Sequence, residues 1–213
     1  MKLSDAVICF DLGGVLLEII HDLEERIEVC RSPERSLRLS DSTKRELIAD
    51  NLEYQRGRLS RDDYMALLVS KTAGSGFTHD DWERIEQGII LGPMPDADDM
   101  VSFFRERAKD LGVLSNTCEM HVQQFQSYTF FDQIPESSIV YSHRDRVLKP
   151  EPEAFTCFEE RLGCRPDEVV LFDDTRENIS AAHQAGWKAF QIVRGIPVFP
   201  QVQGALSLLT RGH

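Results

Sequence analysis

The sequence predicts an α/β fold: a parallel sheet flanked by helices, with a helical segment inserted after the first strand. Three observations predict it. Short apolar runs at residues 6–10, 111–114 and 169–172 each end on a small polar or acidic group, as buried strands of a parallel sheet do. Between the later runs the apolar residues recur at helical intervals, and strands that alternate with helices require right-handed crossovers. After the first run alone, helical spacing takes over and no strand pattern returns from about residue 16 to residue 92.

In chain order, Ala6-Val7-Ile8-Cys9-Phe10 stops at Asp11 and turns through Gly13-Gly14, where the backbone can bend sharply and approach a small ligand. In the inserted segment Leu23, Ile27 and Cys30 share a helical face. Leu47-Ile48 follow, then Tyr64, Leu67 and Leu68, then Trp82, Ile85 and Ile89. Ser60 with Asp63, and Thr78 with Asp81, are spaced as helix N-terminal caps, and Gly74-Ser75-Gly76 reads as a flexible break. No strand is expected in this segment, and Leu91-Gly92-Pro93-Met94-Pro95 reads as a linker. The chain therefore divides into a core, residues 1–15 and 93–213, and a helical cap, residues 16–92. Within the core, helices are expected at 96–109 (Met100, Phe103 and Phe104 inward), 118–128, 151–162, 177–186 and 202–209. Strands are expected at 113–114, 138–141, 169–172 and 189–193.

The bulk composition excludes some partners. The 213 residues are 41% apolar and 28% charged, with no biased tract, which suffices for one good core and a smaller lobe. A net charge of −12 opposes nucleic acid or an anionic membrane surface, since both need clustered Lys and Arg. A cytoplasmic setting is expected. Neither a secretory leader nor a membrane span is expected at the N-terminus, and the five cysteines are odd in number and lack metal-site spacing. Oligomeric state is not legible at this level.

If the three runs are neighbouring strands, Asp11, Ser115, Lys149 and Asp173 converge at the carboxyl edge, where open α/β sheets bind ligands. Such a set can hydrolyse a phosphate monoester. Asp11 can attack phosphorus and form an aspartyl-phosphate, splitting one hard step into two easier ones. Two anions need a screening cation, and magnesium suits oxygen ligands: the Asp11 carboxylate, the Gly13 carbonyl and Asp173, with Asp174 orienting a water or Lys149. Lys149 and the Ser115 hydroxyl would hold phosphate oxygens, with backbone amides near Gly13 and Asn116 as further donors. Taken singly, each residue has an ordinary explanation. Asp173-Asp174 can cap a helix, Ser115-Asn116 can form a turn, Lys149 can be a surface lysine, and His21, His121 and His143 read as isolated structural histidines. Only the joint pattern is specific.

Four stretches resemble the four motifs of the haloacid dehalogenase-like hydrolase superfamily: Phe10-Asp11-Leu12-Gly13-Gly14-Val15, Leu114-Ser115-Asn116-Thr117, Lys149-Pro150-Glu151-Pro152 and Phe172-Asp173-Asp174-Thr175-Arg176-Glu177-Asn178. The insert resembles that superfamily's helical cap, and Tyr54-Gln55-Arg56-Gly57-Arg58-Leu59-Ser60 is similar to a recurrent cap segment. The resemblance implies a Rossmann-like sheet of five or six strands beneath a mobile cap. It also implies a magnesium-dependent phosphatase that acts on a small phosphorylated substrate through Asp11.

One position departs from the pattern. Phosphatases of this superfamily carry a second Asp two residues after the nucleophile as general acid, and here that position is Gly13. A well-placed general acid contributes about 10²–10⁴-fold. An acidic leaving group, such as the anomeric hydroxyl of a sugar 1-phosphate, would need none; Glu18, His21 or Asp22 could donate instead. The Asp-Leu-Gly-Gly-Val form resembles the α-D-glucose-1-phosphate phosphatase-like group, which favours sugar phosphates. Two alternatives stay open. A 2-haloacid dehalogenase would use the same nucleophile without a proton donor, but it leaves Asp173-Asp174 without a purpose and normally has an aromatic residue before the turn glycine. A non-catalytic protein on this fold would only bind a phosphorylated ligand.

Overall fold

The computed structural model describes residues 1–30 and 39–211. Strands β1 (Val7–Phe10), β4 (Asp110–Ser115), β5 (Ile139–Tyr141), β6 (Val169–Asp173) and β7 (Lys188–Gln191) form one sheet in the order β5-β4-β1-β6-β7. All four pairings are parallel, and β1 is central, so the runs ending at Asp11, Ser115 and Asp173 lie side by side. Helices cover both faces, which is why every residue of β1 is buried and apolar. The strand's two-residue period still sorts its side chains. Ile8 and Phe10 join Met100, Val101 and Phe104 of α5 (Ala97–Arg105) and Val202 of α10 (Val198–Arg211) on one face. Val7 and Cys9 join Phe155 and Phe158 of α8 (Pro152–Leu162) and Ala182 of α9 (Arg176–Gln184) on the other.

Gly112 sits where β4 meets α8. A Cβ there would lie 2.7 Å from the Ser138 carbonyl oxygen and 2.7 Å from the Phe158 ring. Gly112→Ala is therefore expected to overpack the core and destabilise the protein by about 1–3 kcal/mol. Urea unfolding reads this directly, and a midpoint equal to that of the unsubstituted protein would contradict it.

The inserted segment contains α1 (Leu23–Cys30), α2 (Asp41–Gln55), α3 (Arg61–Lys71) and α4 (His79–Gln87). The expected caps form: the Asp63 amide donates to Ser60 Oγ, and Thr78 and Asp81 cap each other reciprocally. Ile27, Leu47, Tyr54, Tyr64, Leu68, Trp82 and Ile85 make an apolar cluster that also takes in Cys118 and Met120, at the start of α6 (Glu119–Phe125). Among the described residues, no helix is long and apolar enough to cross a membrane.

Several local expectations are corrected. Residues 16–92 are not purely helical: β2 (Leu17–Ile19) and β3 (Ile90–Pro93) pair antiparallel, so the expected linker at 91–95 begins as a strand. Neither run is long enough to show a period, and Pro93 is tolerated because it ends a strand in a two-stranded ribbon. The expected break at 74–76 is instead a 3-10 turn (Ala73–Ser75) closed by Gly76 at φ +75°. The helix of 96–109 stops at Arg105, and Lys109 already donates its amide to the Ala6 carbonyl beside β1. Phe103 is only partly buried, and Ile48 is exposed. The closing helix starts at Val198 rather than 202, and the strand before it ends at Gln191 rather than 193.

Candidate active site

The carboxyl ends of β1, β4 and β6 and the loop before α8 place Asp11, Ser115, Asp173 and Lys149 together. Lys149 is buried with its Nζ 3.0 Å from Asp11 Oδ1 and 2.6 Å from Asp173 Oδ2. The side chain of Asn116 holds the lysine's backbone from both sides: its Nδ2 donates to the Lys149 carbonyl, and its Oδ1 accepts from the Lys149 amide, each at 2.8 Å. Asn116 thus uses one donor and one acceptor of its side chain to position Lys149.

The two adjacent carboxylates differ. Asp173 is fully enclosed; its oxygens accept from Lys149, from the Thr175 amide at 2.8 Å and from Asn178 Nδ2 at 3.1 and 3.0 Å. Asp174 lines the cavity above, where its Oδ2 accepts from Arg194 Nε at 2.8 Å and lies 3.4 Å from His21 Nε2. The expectation that Asp174 orients Lys149 is therefore corrected, because the lysine bonds to Asp173. Gly14 makes room for this arrangement. It adopts φ +73°, and a Cβ there would collide with the Asp174 carboxylate.

A cavity of about 190 Å³ opens above these groups, lined by Asp11, Gly13, Ser115, Asn116, Lys149 and Asp174 below and by Ile19, His21, Gln55 and His121 above. Burial pushes the Asp11 carboxyl up to about 7; Lys149 pulls it down, while Asp173 and Asp174 raise it further. Burial also works against the Lys149 charge, but Asp11 and Asp173 outweigh it and hold the ammonium above its ordinary range. The lysine stays charged among three carboxylates whose oxygens lie within 4.8 Å of one another.

At Gly13, a side chain would meet the tip of Ile19, 2.5 Å from the Cβ position, so an apolar group from β2 occupies the place a general acid would take. Of the three substitute donors, only His21 reaches the cavity. Glu18 is exposed on β2, and Asp22 accepts from the Glu25 amide at the start of α1. Burial lowers the His21 pKa, with Asp174 acting in the opposite direction.

Sequence reasoning missed His121, Gln55 and Asn178. His121 and Gln55 come from segments remote in the chain, and no local pattern marks either as facing the sheet. The segment around Gln55 was legible only as a resemblance. Its neighbours explain its geometry: Arg56 Nη2 pairs with Glu151 Oε1 at 2.6 Å, and Gly57, at φ +68°, lies so close to the His143 carbonyl that no Cβ fits. These contacts dock α2 onto the loop that carries Lys149.

Fold and site together define an α/β protein with an acidic sheet edge beneath a cavity, and comparison makes the class specific. The profile of the haloacid dehalogenase-like hydrolases matches residues 6–186, and the chain belongs to that family. Among solved structures, a haloacid dehalogenase family enzyme of Bacteroides thetaiotaomicron, in complex with magnesium and inorganic phosphate, superposes with a TM-score of 0.71 at 20% identity, covering 90% of this chain and 96% of that one. The L-2-haloacid dehalogenase of Xanthobacter autotrophicus, with chloropropionic acid covalently bound, superposes at 0.62 and 19% identity, covering 100% and 84%. At these identities the likeness is one of fold. Acyl-CoA dehydrogenase family member 10 of Mus musculus is 25% identical over 101 residues, 47% of this chain but 9% of that protein's length.

Proposed function

We propose that the protein is a magnesium-dependent phosphatase of small phosphorylated metabolites, with sugar phosphates as the leading class. One observation carries this reading: Asp11, Lys149 and two further carboxylates meet at the sheet's carboxyl edge under a cavity. The donor set fits the metal. It is buried, made of oxygens only, and holds three carboxylates against one buried ammonium. The expected roles of the paired acids are exchanged here: the Asp11 carboxylate, the Gly13 carbonyl and the cavity-lining Asp174 would hold the ion, while Asp173, expected as a ligand, has both oxygens engaged by Lys149, Thr175 and Asn178 and positions the lysine. Bound there, magnesium supplies the positive charge that lets a carboxylate approach a phosphate. The magnesium and phosphate bound to the Bacteroides enzyme of the same fold support the choice.

In this reading Asp11 attacks phosphorus, the bond to the leaving oxygen breaks, and water then hydrolyses the aspartyl-phosphate. The Leu12 amide and Lys149 both engage Asp11 Oδ1, which turns Oδ2 to the phosphorus. Lys149 and the Ser115 hydroxyl hold the phosphoryl oxygens as charge shifts. The helices over the cavity act as the cap that excludes water. His21 is placed to protonate leaving groups that need it, and Gly13 with Ile19 contributes no proton.

The test is release of inorganic phosphate from sugar phosphates, alkyl phosphates and p-nitrophenyl phosphate, with magnesium and with EDTA. Activity is expected to vanish with EDTA, and His21→Ala should slow esters of weakly acidic alcohols, relative to acidic ones, by about 10²–10⁴-fold, the usual contribution of a general acid. Phosphate release unaffected by EDTA would overturn the metal assignment. Halide release from 2-haloacids without metal would move the protein to the dehalogenases.

A further inference from the structure

A second cavity, of about 270 Å³, lies within the helical layer and shares His21 and Gln55 as walls with the catalytic one. Glu86 of α4 lies on it, 1% exposed, and its Oε2 has no hydrogen-bond partner. Arg26 Nε and His121 Nε2 are likewise buried and unpartnered, and His121 Nε2 is 3.8 Å from Glu86 Oε2. Unpartnered buried polar atoms carry a desolvation penalty, so two of them on this cavity, Glu86 Oε2 and Arg26 Nε, with His121 Nε2 beside them on the adjoining catalytic cavity, mark a place where a ligand can complete them. The other Glu86 oxygen is fixed by a chain that starts at the catalytic cavity. Gln55 Nε2 donates to Asn51 Oδ1 at 2.8 Å, Asn51 Nδ2 to the Tyr64 hydroxyl at 3.0 Å, and Tyr64 to Glu86 Oε1 at 3.2 Å.

The charges select the ligand's chemistry. Arg26 Nη1 lies 3.9 Å from Glu86 Oε1, so the two charges face each other and the pocket wall is near neutral. A second anionic group would meet Glu86, and a cation would meet Arg26. What remains unmet is an acceptor at Glu86 and a donor at Arg26, with His121 Nε2 3.8 Å from the Glu86 oxygen on the side of the catalytic cavity. Burial holds His121 down to about 4, so its ring is neutral near pH 7 and can donate or accept according to tautomer. A hydroxyl, which donates and accepts at once, completes such a set. Leu47, Leu68 and Trp82 give the remaining wall an apolar surface that suits the C–H faces of a ring.

Building on the phosphatase reading, we infer that this cavity is the leaving-group site and that Glu86 and Arg26, with His121 at its boundary with the catalytic cavity, bind the hydroxyls of an uncharged, polyhydroxylated leaving group. The test is calorimetric binding of a hexose phosphate and of inorganic phosphate to the Asp11→Asn protein with magnesium present. The hexose phosphate is expected to bind about tenfold or more tightly than phosphate, the scale of one or two hydrogen bonds to a buried charged group. Adding Glu86→Gln should bring the ratio of the two constants toward one. Leu52→Trp, placed at the partly exposed edge of the cavity to fill it without touching the buried pair, should do the same. Equal constants in the Asp11→Asn protein, or a ratio that neither substitution moves, would overturn the inference. Turnover of p-nitrophenyl phosphate by the unsubstituted protein separates the two readings. Turnover with an unresponsive ratio sinks only the leaving-group site, and a responsive ratio without turnover sinks only the phosphatase.

Discussion

Asp11→Asn is expected to abolish phosphate release, with kcat falling by about 10⁴-fold or more, as when other covalent nucleophiles are removed. The substitution keeps the shape of the side chain, and its carbonyl oxygen can still accept from the Leu12 amide, now 2.7 Å from Asp11 Oδ1. The amide has no anionic oxygen to offer phosphorus, so covalent transfer stops while the fold stays. Circular dichroism and thermal unfolding should match those of the unsubstituted protein. Residual phosphate release within tenfold of normal would show that another group does the chemistry and would remove the central residue from the proposed mechanism. Covalent capture gives a second readout: rapid acid quenching with labelled substrate should trap label on the unsubstituted protein and none on the variant.

Lys149→Met should be costly in two ways. Lys149 is 2% exposed and stands between Asp11 and Asp173, so its loss leaves two buried carboxylates without their counter-ion. Breaking a buried ion pair from one side costs about 3–5 kcal/mol, and the urea midpoint should fall accordingly. Catalysis should fall by about 10²–10³-fold, because a preorganised cation is lost from the transferring phosphoryl group. Saturating magnesium should restore part of the stability, since the ion would replace some of the missing positive charge, but should not restore the rate. Arg is not expected to substitute, because a planar guanidinium is bulkier than the ammonium that the Asn116 bracket positions between the two acids. A variant as stable as the parent in the absence of metal would show that the lysine does not offset the two carboxylates.

Much of the architecture was legible because each strand that matters is buried on both faces. Residues 6–10, 111–114 and 169–172 had to be continuous apolar runs, and their ends had to be turns, so the chain itself shows where the sheet's carboxyl edge lies. The helix caps at Ser60 and Thr78 were legible for a similar reason, since each is a contact between residues three apart. The β2–β3 ribbon was not legible, because it joins two short runs from opposite ends of the insert. The division of labour between Asp173 and Asp174 was equally hidden. The two residues are chemically identical neighbours, and only the positions of Lys149, Asn178 and Arg194 distinguish a saturated carboxylate from one that lines the cavity.

The sequence by itself determined the parallel sheet, the order of its acidic and basic groups and the missing side chain at Gly13, because these follow from local composition and spacing. Only the tertiary structure decided that Ile19 fills the space beside Gly13. It also decided that His21, rather than Glu18 or Asp22, reaches the cavity, and that Glu86 and Arg26 carry unpartnered atoms on a second one with His121 next to Glu86. Those facts depend on contacts between segments far apart in the chain. Such contacts are set by how apolar faces pack, and no local period or motif records them.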